Sequence, residues 1–120
     1  MEPHIDSVRF GAITVAGKTI KHDIVITTSG EVKKRKKRLS KQQYGTSHVI
    51  SLAEIQVTWQ SNTERLIVGT GVFNRVRLAP DAQAFLSQQG CCTVLRPLSK
   101  AIRLWNDSQG QIAGLFHITC

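Results

Sequence analysis

The chain has 120 residues, 41% of them hydrophobic, and a formal net charge of +8. This composition excludes an intrinsically disordered chain, and no apolar run approaches the roughly 20 residues that a membrane-spanning helix needs. The length is that of a single domain covering residues 1–120, and three cysteines form no closed disulfide framework, which points to the reducing cytoplasm.

The N-terminal Met1-Glu2-Pro3-His4 carries an acid and no apolar segment, so no secretory signal is expected. Ser7 to Ala16 reads as a strand, with Ile13 and Val15 alternating with Thr14 and Gly11 marking a bulge or a close backbone approach. Ala16-Gly17-Lys18 is a turn. Thr19 to Thr28 continues the β character to a turn at Ser29-Gly30, with Ile24, Val25 and Ile26 together suited to burial on both faces.

A basic run follows. Lys33, Lys34, Arg35, Lys36, Lys37, Arg38 and Lys41 supply +7 with no acid among them, which leaves about +1 for the other 111 residues. On a strand these charges would face both sides, so neither face could pack on a core. The run is expected as an exposed edge, a projecting ribbon or a mobile loop. Ser40 to His48, short and polar, reads as loop.

Ser51-Leu52-Ala53-Glu54 is a capping box and opens a helix from about Leu52 to Gln60, with Leu52, Ile55 and Trp59 on one face. Arg65 to Val68 is a strand, and its consecutive Leu66, Ile67 and Val68 predict burial on both faces. Gly69-Thr70-Gly71 follows at its carboxyl end, where the loops of parallel strands carry sites. Pro80 starts a second helix whose shared face is Ala82, Phe85, Leu86 and Gln89, with Gly90 as its stop. Cys91 to Leu95 is a strand, Ser99 begins a helix with Ala101, Ile102 and Trp105 inward, and Ile112 to Ile118 is a last strand interrupted by Gly114. A β meander followed by alternating strands and helices predicts an α/β fold with a mixed sheet covered by helices, and the meander as a separate layer or edge.

Gly69-Thr70-Gly71 lacks the third glycine of a dinucleotide fingerprint, since Asn74 stands there, and Pro80 comes too late to open the helix; it reads first as a structural turn. The basic run could meet phosphates, but no aromatic residue is interleaved with the charges for base stacking, and Tyr44 is the nearest. Cys91 and Cys92, adjacent on a strand, face opposite sides, as do His117 and Cys120. No metal ligand set follows from them. Trp59 and Trp105 lie on apolar helical faces and read as core. His48 sits in a polar loop with cations upstream, so nearby positive charge should hold its pKa down.

Tyr44-Gly45-Thr46-Ser47-His48, the Ile67-Val68-Gly69-Thr70-Gly71 strand and loop, and the final Gly114-Leu115-Phe116-His117-Ile118-Thr119-Cys120 together resemble a small-domain family of unknown function. Arg9-Phe10-Gly11 and Asp23-Ile24-Val25 fit the same pattern. The family includes archaeal and bacterial single-domain proteins, the animal adipogenesis-associated domain protein and a mitochondrial respiratory complex I assembly factor. The chain is most similar to the microbial branch, which carries a basic stretch before the Tyr-Gly-Thr-Ser-His motif. The resemblance implies a three-layer α/β domain with a mixed central sheet and a β-hairpin layer. It implies no established activity, no known cofactor and no agreed catalytic residues.

These observations point to a cytoplasmic binding domain rather than an enzyme. Its expected site is the carboxyl edge of the central sheet, where Gly69, Thr70 and Gly71 would meet Tyr44, Gly45, Thr46, Ser47 and His48. Lys34, Arg35, Lys36, Lys37, Arg38 and Lys41 would draw an anionic small molecule or an acidic protein to it. No catalytic residue, metal or cofactor is assigned. Three alternatives stand beside this reading: an assembly-factor-like protein-interaction module, nucleic-acid binding through residues 33–41, and an enzyme using His48.

Overall fold

The structure, a computed structural model, describes residues 2–120. The chain opens with β1 (Ile5–Arg9), β2 (Ala12–Val15), β3 (Lys18–Ile20), β4 (Ile24–Ile26) and β5 (Val32–Lys34). Helix α1 (Lys37–Tyr44), β6 (Val49–Ile50), α2 (Leu52–Thr58) and β7 (Arg65–Gly69) come next. The second half holds β8 (Arg77–Leu78), α3 (Pro80–Gln88), β9 (Cys92–Arg96), α4 (Leu98–Asp107) and β10 (Ile112–Phe116).

The predicted strand over 7–16 is a hairpin instead. Gly11, at φ 82°, turns the chain between β1 and β2, so that Val8 pairs with Ile13 and Arg9 with Ala12. Ala16 and Gly17 both take positive φ, which suits the tight turn into β3. The result is a three-stranded antiparallel sheet, β1-β2-β3. The second half of the meander then leaves for the main sheet, whose order is β5-β4-β10-β7-β9. There β7, β9 and β10 run parallel, while β4 is antiparallel to both β10 and β5.

Both faces of the main sheet are covered, as the run of three aliphatic residues in β7 requires. Ile67 joins Ile24, Ile26 and Phe116 in a core with the small sheet and with Ala101, Ile102 and Trp105 of α4. Leu66 and Val68 point the other way, onto Ile55 of α2 and Ala82 and Leu86 of α3. Gly114 in β10 gives room to this packing: a Cβ there would lie 2.5 Å from the Phe116 ring and 3.0 Å from Trp105.

The stretch expected as loop from Ser40 to His48 is helical as far as Tyr44, and Gly45 closes the helix in the left-handed conformation at φ 72°. Lysine, arginine, leucine and glutamine are good helix formers. The helix lacks a broad apolar stripe because it is anchored through a polar residue. Ser40 is fully buried, and its hydroxyl bonds Ser51 and Glu54 of α2. Only half of the capping box forms: Glu54 N–H donates to Ser51 Oγ at 3.1 Å, but Ser51 N–H donates to Ser40 Oγ and the Glu54 carboxylate turns to Arg35 and Ser40; α2 ends at Thr58, two residues early.

Candidate anion-binding site at the carboxyl edge of the sheet

Register places Lys34, Ile24, Phe116, Gly69 and Arg96 side by side in one row across the five strands. This row is the carboxyl edge of β5, β10, β7 and β9. One residue beyond it lie Arg35, His117 and Thr70, and beside them Asp23 at the entry to β4. The backbone carries the pairing on: Arg35 N–H donates to Asp23 O, His117 N–H to Gly69 O, and Thr70 N–H to Arg96 O.

Three of these groups, Arg35, His117 and Asp23, form a buried polar cluster with Glu54 of α2. Arg35 donates through Nε to Glu54 Oε2 at 2.6 Å, through Nη2 to Glu54 Oε1 at 3.1 Å, and through Nη1 to Asp23 Oδ2 at 3.0 Å. Its Nη2 also donates to Ser47 O at 2.7 Å, which pins the loop after α1. His117 Nδ1 lies 2.7 Å from Asp23 Oδ2, and its Nε2 is 3.2 Å from the Thr119 hydroxyl. Burial alone would raise the Asp23 carboxyl. The His117 hydrogen bond, the Ile118 N–H, and the charges of His117 and Arg35 outweigh it and bring the pKa down to about 2.

Arg35 therefore corrects the expectation for the basic run. It is not part of a solvated charge cluster; its side chain is fully buried and neutralised by two carboxylates. Lys36, Lys37 and Arg38 remain at the surface, where they line a groove of about 510 Å³ with Lys34 and Val57 at the start of α1. Lys41 is exposed on the same helix.

The two expected loops both reach the His117 ring. The His48 ring stands edge-on to His117, with centroids 5.4 Å apart. Gly71, at φ 98°, lies against the same His117 ring and the Cys120 backbone, too close for any Cβ. Thr70 is buried, and its single hydroxyl proton is shared between Asn74 Oδ1 and Arg96 O, both within hydrogen-bond reach. Asn74, His48, Val49, Arg75 and Arg77 surround a pocket of about 470 Å³. His48 is half-buried, and its pKa is lowered first by burial and then by His117, Arg75 and Arg35. The expected direction holds, but burial leads, and only Arg35 comes from the upstream run.

The other expected residues serve the scaffold. Tyr44 closes α1, Gly45 is its cap, and Thr46 Oγ1 accepts from His48 N–H at 3.1 Å. Gly69 allows Phe116, Leu98 and Ala101 to approach β7. Sequence reasoning missed Asp23 and His117 as a buried pair, because residues 94 positions apart give no spacing signal. Glu54 was legible only as a helix cap. Arg75 and Arg77 carried a faint signal, two arginines in alternation just past the glycine loop. Among the described residues no three His, Cys, Asp or Glu side chains converge as a metal cradle.

A sequence profile of the DUF498/DUF598 family, described as a protein of unknown function, matches residues 5–113. The chain belongs to this family. Among solved structures, the conserved hypothetical protein PH1505 of Pyrococcus horikoshii OT3 is 31% identical, with a TM-score of 0.91 over 97% of this chain and 98% of that one. A structure named MT938 is 27% identical, with a TM-score of 0.84 over 99% and 100%. A Mth938-like domain from Bordetella pertussis is 19% identical, with a TM-score of 0.63 over 97% and 85%, a likeness of fold alone. The DUF498/DUF598 relatives thus establish the kinship read from the Tyr44–His48, Ile67–Gly71 and Gly114–Cys120 segments.

Proposed function

We propose that this protein works by binding, and that it engages an anionic ligand or an acidic protein surface at the carboxyl edge of its main sheet. One observation carries the reading: His48, Asn74, Arg75 and Arg77 line one pocket that has no carboxylate on its wall. Two exposed guanidiniums suit bidentate capture of a carboxylate or phosphate. His48 packs edge-on against His117 of the buried Arg35–Glu54–Asp23–His117 cluster, which holds its ring in place and lowers the ordering cost of binding. The surface lysines of α1 add long-range attraction for the same class of partner.

Titration with inorganic phosphate and with a short oligoglutamate, followed by amide and side-chain NMR, tests this. Saturable shifts at His48, Asn74, Arg75 and Arg77, lost in Arg75→Glu/Arg77→Glu, are expected. Shifts confined to other surfaces would overturn the reading.

A protein-interaction module of the assembly-factor kind is favoured by a second observation. Phe10, in the β1–β2 turn, and Phe73, on the loop that supplies Asn74 and Arg75, are 55% and 63% exposed, with ring centroids 6.2 Å apart. Exposed aromatic pairs beside cations are typical of protein contact surfaces. Phe73→Ser should then weaken a protein partner and leave phosphate binding unchanged.

A further inference from the structure

We propose that a second groove, between the free edges of β3 and β5, receives an extended acidic polypeptide segment of another protein, which adds as a strand alongside β5. This inference does not rest on the pocket around His48, with which the groove shares no lining residue.

The groove has a volume of about 630 Å³ and lies between the two sheets. Among the described residues, β3 pairs with β2 and with no other strand, and β5 pairs with β4 and with no other strand. In β5 the inward hydrogen bonds fall on odd-numbered residues: Thr27 N–H donates to Glu31 O, and Arg35 N–H to Asp23 O. Antiparallel pairing alternates, so the main-chain groups of Val32 and Lys34 face outward, away from β4. On the other wall, Thr19 sits opposite Thr14, with hydroxyls 2.9 Å apart, as in a non-hydrogen-bonded pair; its main-chain groups also face outward. Two unused strand edges thus border one concavity, which is the geometry that strand addition requires.

The lining defines the chemistry of the occupant. Lys18, Lys21, Lys33 and Lys34 stand on the walls, and no acid does. Glu31 meets Lys33 at 3.4 Å, but both side chains are more than half exposed, so an incoming carboxylate displaces that contact at little cost. Ile20 and Val32 are half-buried and offer aliphatic contact to alternate side chains of an added strand. Lysines on an edge also guard against aggregation, yet a guard has no need of a partner edge and an aliphatic floor. Among its lining residues His22 carries the single aromatic ring and no Phe, Tyr or Trp is present, so no platform stacks successive bases, which favours peptide over single-stranded nucleic acid. A second copy of this chain does not fit either, because its eight acidic residues are all at least four positions apart.

The test uses the full chain, labelled with nitrogen-15, and a capped peptide that alternates Glu and Val over about six residues, a common strand length. Hydrogen exchange of the Val32 and Lys34 amides is expected to slow in its presence, with shifts at Thr19. The exposed charge reversal Lys18→Glu/Lys34→Glu should weaken binding roughly tenfold, or about 1.4 kcal/mol, without loss of the native spectrum. An oligothymidylate of similar charge serves as the nucleic-acid arm and should leave both amides unprotected. If the peptide does not protect them, or if oligothymidylate does so better than the peptide, the proposal is wrong.

Discussion

Arg35 and Glu54 meet side by side, with Nε 2.6 Å from Oε2 and Nη2 3.1 Å from Oε1, and neither side chain has any exposed surface. This pair joins the residue just past the β5 edge to the first turn of α2. Removing the guanidinium would leave Glu54 as a buried carboxylate without its cation and Asp23 held by His117 and the Ile118 N–H alone. Arg35→Met should therefore cost about 3–5 kcal/mol, the range for breaking a buried pair from one side. Lys37→Ala, two residues on, should change stability by no more than about 0.5 kcal/mol. Urea denaturation of both variants checks the contrast; equal effects would show that Arg35 carries no more than its neighbours.

The same cluster sets an acid limit on the fold. Asp23 titrates at about 2 in the folded protein, against an ordinary 3.8. A carboxyl held low by folding adds stability above its unfolded pKa, and that stability is lost as pH falls through the folded value. The contribution is on the order of 2 kcal/mol, fully present above about pH 5 and lost progressively toward pH 2. Asp23→Asn should flatten the stability curve over that window while lowering stability near neutrality. A wild-type curve already flat between pH 4 and pH 2 would remove Asp23 from this role.

How much of this was legible beforehand follows from which forces write themselves into local sequence. The two-sided burial of Leu66–Val68, the Ser51–Glu54 cap and the inward face of α4 all come from short-range pattern, and the structure has them where the pattern put them. The α1 helix was missed because its anchor, Ser40, is polar and contacts α2 across 11 and 14 positions. Arg35 was indistinguishable from six neighbouring cations because its partners Asp23 and Glu54 lie in other elements. Residues that meet only through tertiary structure leave no period to count.

His48 offers a direct reading of anion occupancy. Its imidazole pKa lies below the ordinary 6.5, held there by burial and by the charges of His117, Arg75 and Arg35. An anion in the adjoining pocket favours the imidazolium, so binding must raise that pKa. By linkage, the His48 contribution to anion affinity must rise as pH falls through the free-state value and weaken above it, a trend read after correction for the proton that phosphate itself takes up. Imidazole signals followed across pH, with and without saturating phosphate, check both statements. An unchanged His48 titration would place the anion elsewhere.

The glycines divide into those that shape the rim and those that shape the core. Gly114→Ala drives a methyl into two aromatic rings, at 2.5 Å from Phe116 and 3.0 Å from Trp105, both of which are fully packed. Overpacking of this kind costs about 1–3 kcal/mol. Gly71→Ala drives its methyl into the Cys120 backbone instead, at a φ of 98° that an alanine resists. A ring can rotate by a few degrees, but a backbone contact is relieved only by moving the loop. Gly71→Ala should therefore displace the segment that carries Asn74 and Arg75 and reduce phosphate binding about tenfold or more. Gly114→Ala should lower thermal stability while leaving binding intact at temperatures where it is folded. Calorimetric melting and phosphate titration on both variants separate the two roles, and a Gly71→Ala protein that binds like the wild type would detach the glycine loop from the site.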